Sequence, residues 1–229
     1  MDIIEKLQQY TLDQGILRTL PNYESLQSVK KINTPVHKKR TGLFIPRSND
    51  TLFWCFYIIT EGKDAYYMTG NHKFQIEKNK KISFIEKIRE NKDLIKANKL
   101  KINELENDLL NNRCINYKTF IALCLLYNIN VIIIFDNYYY EYTPVPATET
   151  NIIRIENKKF GIEFETSNVA KELTSYWKMD NIIKPLKGIS TYKITELRKI
   201  YKYLYPVESE TKIKLTKQKI YNLIRLKIE

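Results

Sequence analysis

Residues 49–60 read NDTLFWCFYIIT, a block in which apolar and aromatic residues follow a capping residue almost without interruption. Asn49 or Asp50 is a favourable N-cap, so the stretch predicts a helix over about 51–61 that ends at Gly62. Because apolar residues occupy every side of this helix, we expect it to be buried all round. A helix of this kind predicts a core built around it.

Cys55 lies near the start of this helix, and two interpretations of it are open. A thiol in the first turn of a helix has a lowered pKa and can serve as a catalytic nucleophile. The other interpretation is a small apolar residue in the core. A nucleophile needs a base within hydrogen-bond reach, and the candidates are His72, in a polar turn, and His37, in a basic segment upstream. We favour the core interpretation, with Cys55, His72 and His37 as the alternative catalytic set.

The segment after this helix predicts a further helical part of the core. Residues 64–80 are ambiguous, with a possible strand around 74–76, whereas residues 81–112 carry apolar side chains at helical spacing. We expect one long amphipathic helix there, or two joined near Asn98, lying on its own domain. The alternative is a coiled coil that joins two copies of the chain through 81–112.

The next segments predict a helix and then a small sheet. Residues 117–127 form an apolar helix pattern, VIIIF at 131–135 is typical of a buried strand, and YYYEY at 138–142 predicts a second strand. Residues 151–165 alternate like a hairpin with its turn near Asn157. The fold class predicted is an α+β core with a central buried helix, a long amphipathic helix and a small antiparallel sheet, followed by a small all-α module.

Four regions follow from this pattern. Residues 1–48 form a basic N-terminal arm with a short helix over 1–13, residues 49–168 the α+β core, residues 169–185 a linker helix, and residues 186–229 the C-terminal module. In the module, Ile194, Leu197, Ile200, Tyr201 and Leu204 share one face of a first helix, and Thr216 is the natural cap of a second.

Positive charge is concentrated at the ends of the chain. The net charge is +12, and residues 181–229 hold ten Lys and two Arg against four Glu, a net charge of +8. Charge asymmetry of this kind favours nucleic acid or an anionic surface as a partner. The sequence has neither a signal peptide nor an apolar run of about 20 residues, so we expect no membrane span and an intracellular location.

Cofactor and metal chemistry is not indicated by the sequence. Three scattered cysteines and two histidines give no paired-ligand spacing, and the six glycines form no phosphate-binding loop. We therefore predict no metal site and no cofactor. The odd number of cysteines in or beside apolar runs favours a reducing compartment over a disulfide framework.

The C-terminal module resembles the SAP and Rho N-terminal helix-extended-helix modules. The resemblance spans residues 186–226 and is carried by Tyr192, Lys193, Glu196 and Leu197 at the first helix, and by a lysine-rich stretch that leads into Leu223 and Ile224. It implies contact with duplex or single-stranded nucleic acid through basic residues of the helix starts and the connection. The nucleic-acid-binding residues predicted are Lys187, Lys193, Arg198, Lys199, Lys202, Lys212, Lys214, Lys217 and Lys219. Binding through lysines is expected to be largely sequence-neutral.

Two further resemblances concern the core. The order of a cysteine helix, a helical middle and a hairpin sheet is loosely similar to papain-like and ovarian-tumour-type cysteine peptidases, which carry their histidine on late strands. The block DTLFWCFYII, the lysine-rich helical segment and ALCLLYNINVIII also look like an uncharacterised protein group of nucleocytoplasmic large DNA viruses, which implies a viral factory, host cytoplasm or nucleus, or the virion.

The function predicted is that of a non-enzymatic viral protein that tethers nucleic acid through its C-terminal module and contacts a protein partner through its core. One alternative is an active cysteine protease or deubiquitinase with Cys55 as nucleophile. A second alternative is a structural virion or assembly protein that associates with itself through 81–112.

Overall fold

The structure is a computed structural model that describes residues 42–146, 149–206 and 215–228. All of them belong to one compact unit, Thr41–Glu229. The helix predicted over 1–13, the catalytic candidate His37, and Lys212 and Lys214 lie outside the described residues.

The central helix α1, Thr51–Glu61, has the bounds and the burial predicted for it. The Asp50 carboxylate accepts a hydrogen bond from the Phe53 amide at 3.0 Å, which caps the first turn. Gly62 ends the helix with φ at 94°, a value in the left-handed region that favours glycine. Residues 51–58 are all buried, so this helix is the centre of the core.

Four helices follow where the sequence predicted an ambiguous segment and then one long helix or two joined near Asn98, and a break does lie at Asn98. They are α2, Lys63–Met68; α3, Lys73–Glu90; α4, Lys92–Ala97; and α5, Ile102–Asn111. A 3-10 turn, Gly70–His72, separates α2 from α3. The strand predicted around 74–76 is wrong, because those residues form the first turn of α3.

Asparagine side chains explain the breaks between these helices. The Asn91 amide donates to the Lys87 carbonyl and the Asn98 amide to the Leu94 carbonyl, both at 2.9 Å, which satisfies carbonyls at the ends of α3 and α4. Lys99 then takes φ at 58° and redirects the chain. The apolar stripe predicted over 81–112 packs inside this chain, since Ile85, Ile88, Ile95, Leu105 and Leu109 are all buried.

The sheet formed by the described residues has six strands, whereas the sequence predicted two strands within 131–142 and a hairpin of two more. Its order is β1-β5-β4-β2-β3-β6, and the helix α6, Tyr117–Leu126, leads into β2. The strands are β1, Leu43–Phe44; β2, Asn130–Ile134; β3, Tyr138–Tyr142; β4, Thr150–Glu156; β5, Lys159–Glu163; and β6, Trp177–Met179. β2 runs parallel to β4 and β3 parallel to β6, whereas the other pairs are antiparallel. The α+β class is therefore confirmed, with a mixed sheet in place of the antiparallel one.

The predicted hairpin between β4 and β5 is confirmed. Asn157 and Lys158 form its turn with φ at 51° and 62°. Positive φ at both central residues is the geometry of a type I′ turn, whose twist matches that of the flanking strands. Asn is well suited to this position because its short polar side chain tolerates left-handed backbone.

The short helix α7, Val169–Leu173, precedes β6, and two helices of the described residues follow that strand. They are α8, Ile194–Leu204, and α9, Lys217–Ile228, and a 3-10 turn, Ile189–Thr191, precedes them. Residues 169–185 were predicted as a helix and linker, but they contain β6 with Trp177 in the sheet. Buried residues of α8 and α9, among them Leu197 and Ile224, belong to the same apolar cluster as α1.

The α8–α9 pair is attached to the turn between β2 and β3 by two polar contacts. The Asn137 side-chain amide donates to the Leu204 carbonyl at 3.2 Å, and Lys227 pairs with Asp136 at 2.9 Å. Within the described residues, none of the helices is both long and apolar enough to cross a bilayer.

Candidate nucleic-acid interface

The helix α8 has one apolar face and one basic face. Leu197, Ile200 and Leu204 are buried at spacings of three and four residues, which places them on the side that packs against the core. Arg198, Lys199 and Lys202 are exposed on the remainder of the helix surface. The packing of the apolar face thus fixes the direction in which the cations project.

The three tyrosines near the end of α8 have different environments. Tyr201 and Tyr205 stack on one another with ring centroids 4.7 Å apart, and the Tyr205 hydroxyl donates to the Leu223 carbonyl of α9 at 3.0 Å. Tyr203 is 41% exposed. Tyr201 and Tyr205 therefore support the packing of the two helices, while Tyr203 presents its ring at the surface beside Lys202.

A cavity of about 660 Å³ lies where α8 meets the end of the sheet, and we call it the Tyr203 cavity. Lys199, Lys202 and Tyr203 of α8 line one side of it. The residues that line the remainder come from the β2–β3 turn, the segment before β6 and the end of α8: Asn137, Ser175, Tyr176 and Pro206. Two predicted site residues, Lys199 and Lys202, are thus brought to one concave surface.

Hydrogen bonds hold the far wall of the Tyr203 cavity in place. The Tyr176 hydroxyl donates to Glu172 at 2.5 Å, and Glu172 pairs with Arg154 at 2.8 Å. Arg154 is buried and also pairs with Glu163 of β5 at 2.7 Å. The Tyr176 ring is therefore connected to the sheet through its hydrogen bond to Glu172 and the ion pair of Glu172 with Arg154 of β4.

Among the residues that the structure describes, the remaining predicted lysines lie away from the lining of this cavity. Lys193 is the N-cap residue of α8, where its amide donates to Glu196 at 2.6 Å. Lys217 and Lys219 lie in the first turn of α9, which Thr216 caps by accepting from the Lys219 amide at 3.4 Å. Lys187 pairs with Asp180 at 3.1 Å, and this contact raises the pKa of Lys187. Of these lysines, Lys193, Lys217 and Lys219 thus lie at helix starts, whereas Lys199 and Lys202 lie at the cavity.

Sequence reasoning missed Asn137, Ser175 and Tyr176 as cavity residues. Asn137 lies between the two strands predicted at 131–135 and 138–142, and Ser175 and Tyr176 lie in the segment predicted as a linker helix. Their position depends on β6, whose three residues pair in parallel with β3. A strand of three residues has too few positions to show the alternation by which strands are recognised.

The geometry around Cys55 does not favour a nucleophile. Its side chain is 0% exposed, and burial together with the charge of Asp50 raises the pKa of its thiol. His72 is exposed in the 3-10 turn that precedes α3. A thiolate is disfavoured in such an apolar site, because charge loses the solvation that water provides.

Near the N-terminus of α1 lies a buried polar cluster formed by Asp50, Trp54, Glu77 and Lys81. Lys81 pairs with Asp50 at 3.2 Å and with Glu77 at 2.9 Å, and the Trp54 indole donates to Glu77 at 3.1 Å. Burial raises the pKa of Asp50, although the Phe53 and Ile115 amides and Lys81 oppose this shift. The cluster joins α1 to α3, and its polar groups are occupied by one another.

Metal-ligating side chains are not grouped in the part of the chain that the structure describes: no set of three or more His, Cys, Asp or Glu residues there is placed to hold an ion. Cys55 and Cys124 are buried, and Cys114 is exposed with its thiol 3.4 Å from the Asn49 carbonyl. The three thiols are free.

Comparison with protein-family models gives no match. Comparison with curated proteins gives none either, and no solved structure matches. Inference about function therefore starts from the contacts, burial and charge of this chain.

Proposed function

We propose that the protein binds nucleic acid through the basic surface of α8 and α9 and tethers it to a protein partner of the core, without catalysis. The resemblance of residues 186–226 to SAP and Rho N-terminal modules supports the nucleic-acid part. The excess of positive charge after residue 180 supports it independently. The setting proposed, from the resemblance to large DNA virus proteins, is a viral factory, the cytoplasm or nucleus of an infected cell, or the virion.

The observation that carries the proposal is the pair of lysines at the Tyr203 cavity. Lys199 and Lys202 are exposed, and among the residues that the structure describes neither of them forms an ion pair. They lie three residues apart on α8, so their Cβ atoms are about 5–6 Å apart. Unpaired cations held side by side on a fixed helix attract phosphates, because neutralisation releases the counterions of the nucleic acid.

Replacement of both lysines by glutamine tests the proposal in the full chain. Each phosphate contact contributes about 0.7–0.9 to the slope of log affinity against log salt, so Lys199→Gln/Lys202→Gln should lower that slope by roughly 1.5. We expect affinity for labelled DNA and RNA oligonucleotides to fall at low salt, as measured by fluorescence anisotropy over a salt series.

The matched control is Lys92→Gln/Lys96→Gln, which removes the same charge from exposed positions of α4. It should leave both the affinity and the slope close to those of the unaltered protein. An equal loss in the two double variants would mean that only net charge matters. Unchanged binding in Lys199→Gln/Lys202→Gln would show that α8 is not the binding surface.

A further inference from the structure

We propose that the Tyr203 cavity accepts an unpaired base, so that the protein selects single-stranded over duplex nucleic acid. This inference rests on the proposed function and adds to it the strandedness of the ligand. The phosphate contacts of Lys199 and Lys202 alone would serve either form, because both expose their backbones.

The size and position of the cavity fit one base with its sugar. Its volume of about 660 Å³ is within the range of about 300–1,000 Å³ that small-ligand sites occupy. Lys199 and Lys202 line the same cavity, so a phosphate held by them lies next to its opening. A base in a duplex is stacked and paired and does not enter such a space, whereas a base in a single strand can be splayed out.

Two aromatic side chains from different elements provide surfaces for a base. Tyr203 offers its exposed ring from α8, and Tyr176 lines the cavity from the segment before β6. The hydrogen bond from Tyr176 to Glu172 and the ion pair from Glu172 to Arg154 hold that ring to the sheet. Every base has a flat face that stacks on an aromatic ring, so recognition of this kind is tolerant of sequence.

Polar groups at the cavity match the edge of a base. The Asn137 amide nitrogen donates to the Leu204 carbonyl at 3.2 Å, while its amide oxygen accepts no hydrogen bond from the described residues. The Ser175 hydroxyl donates to the Glu172 carbonyl at 2.7 Å and keeps its own lone pairs as acceptors. Amide and hydroxyl groups of this kind bind base edges that are freed from pairing.

The test compares a labelled oligothymidylate, an oligouridylate of equal length, and the duplex of the oligothymidylate with oligodeoxyadenylate. We expect the full chain to bind at least one of the single strands about tenfold or more tightly than the duplex, since stacking of one base on a tyrosine has an effect of that size. The two single strands distinguish DNA from RNA as the source of the base.

Three variants separate the ring of Tyr203 from its hydroxyl and from general effects. Tyr203→Leu should lose about tenfold in affinity for the preferred single strand while keeping its affinity for the duplex. Tyr203→Phe should keep the preference, because the ring remains. Tyr67→Leu removes a tyrosine on α2 that is 59% exposed and should change neither affinity.

Each failure has a distinct meaning. Equal affinity of the unaltered protein for single strand and duplex overturns the inference and leaves the proposed function standing. The inference is also overturned by a Tyr203→Leu variant that keeps its preference, or that loses both affinities equally. If the unaltered protein binds neither form of nucleic acid, the proposed function itself fails.

Discussion

Cys55 shows how far the residues around a side chain decide its chemistry. The sequence places it near a capped helix start, where the helix dipole can activate a thiol. In the structure it is the fifth residue of α1, and the cluster of aromatic side chains around it excludes water. Apolar residues on every side of the helix were sufficient to predict this burial, although the strands that complete the cluster around Cys55 lie far along the chain.

Thiol labelling of the folded protein checks the three cysteines one by one. We expect Cys114 to react with a water-soluble maleimide under native conditions, because it is exposed, whereas Cys55 and Cys124 should react only after unfolding. Burial raises the pKa of both buried thiols and removes the reactive thiolate.

The control for this experiment is Cys114→Ser, which should show no rapid labelling at neutral pH. Mass spectrometry of the digested protein identifies the labelled position. Rapid modification of Cys55 in the folded Cys114→Ser variant would contradict its burial and revive the nucleophile alternative.

Caps define where the two buried helices begin. Asp50 accepts from the Phe53 amide at the start of α1, and Asn116 accepts from the Thr119 amide at the start of α6 at 2.9 Å. Asp50 also accepts from the Ile115 amide at 2.9 Å and from Lys81. One carboxylate therefore caps α1 and holds both α3 and the segment before α6.

Alanine substitutions distinguish these two caps. Asn116→Ala removes one capping bond and should lower the free energy of unfolding by about 1 kcal/mol. Asp50→Ala also leaves Lys81 without one partner of a buried ion pair, so we expect a loss of about 3 kcal/mol or more. Urea denaturation followed by circular dichroism measures both values.

Asp50→Asn supplies a further control, because its side-chain oxygen can still accept from the Phe53 amide. It should be more stable than Asp50→Ala. Equal losses in Asp50→Ala and Asn116→Ala would indicate that Lys81 and the Ile115 amide gain nothing from Asp50 beyond its role as a cap.

Helix breaks were harder to predict than helix starts. The end of α1 at Gly62 and a join near Asn98 were predicted, whereas the break at Asn91 was not. Asn91 and Asn98 each donate a side-chain amide to a carbonyl of the preceding turn, a contact that competes with helix continuation. Lys99 adopts a left-handed backbone conformation, which cannot be predicted from the presence of a lysine. The apolar positions that the helical spacing predicted to be buried are buried, as Ile88 and Ile95 show. The change of chain direction between them could not be predicted from that spacing.

The sheet and the C-terminal helices share one apolar interior. Leu197 of α8 and Ile224 of α9 are 0% exposed and belong to the cluster that contains α1. Deletion of residues 186–229 would therefore remove lysines and also expose the apolar core residues that α8 and α9 contact. Point substitutions at Lys199, Lys202 and Tyr203 are the cleaner tests of binding for that reason.

A shared interior predicts that distant helices unfold together. Leu197→Ala should lower the free energy of unfolding by about 2–5 kcal/mol, because it leaves a cavity at a fully buried position. Hydrogen exchange of the amides of α1 should accelerate by the same factor as that of α8. Ile194→Ala, at a position that is 37% exposed on the same helix, should have a much smaller effect.

Retained protection of α1 amides in Leu197→Ala, together with loss of protection in α8, would show instead that the helix pair opens separately. The sequence alone predicted the apolar face of α8 and the cap of α9 but not their attachment to the sheet. Attachment depends on β6 and on the contacts of Asp136 and Asn137, which join positions far apart in the chain.

During synthesis, α1 leaves the ribosome well before the strands that cover it. This helix ends at Glu61, but the strands that cover it begin only at Asn130, and β1 pairs with β5 at residues 162 and 163. At about 5–20 residues per second, translation exposes this apolar helix for several seconds before its sheet exists. During that interval we expect LFWCFYII to be the segment that a chaperone for extended apolar chains binds.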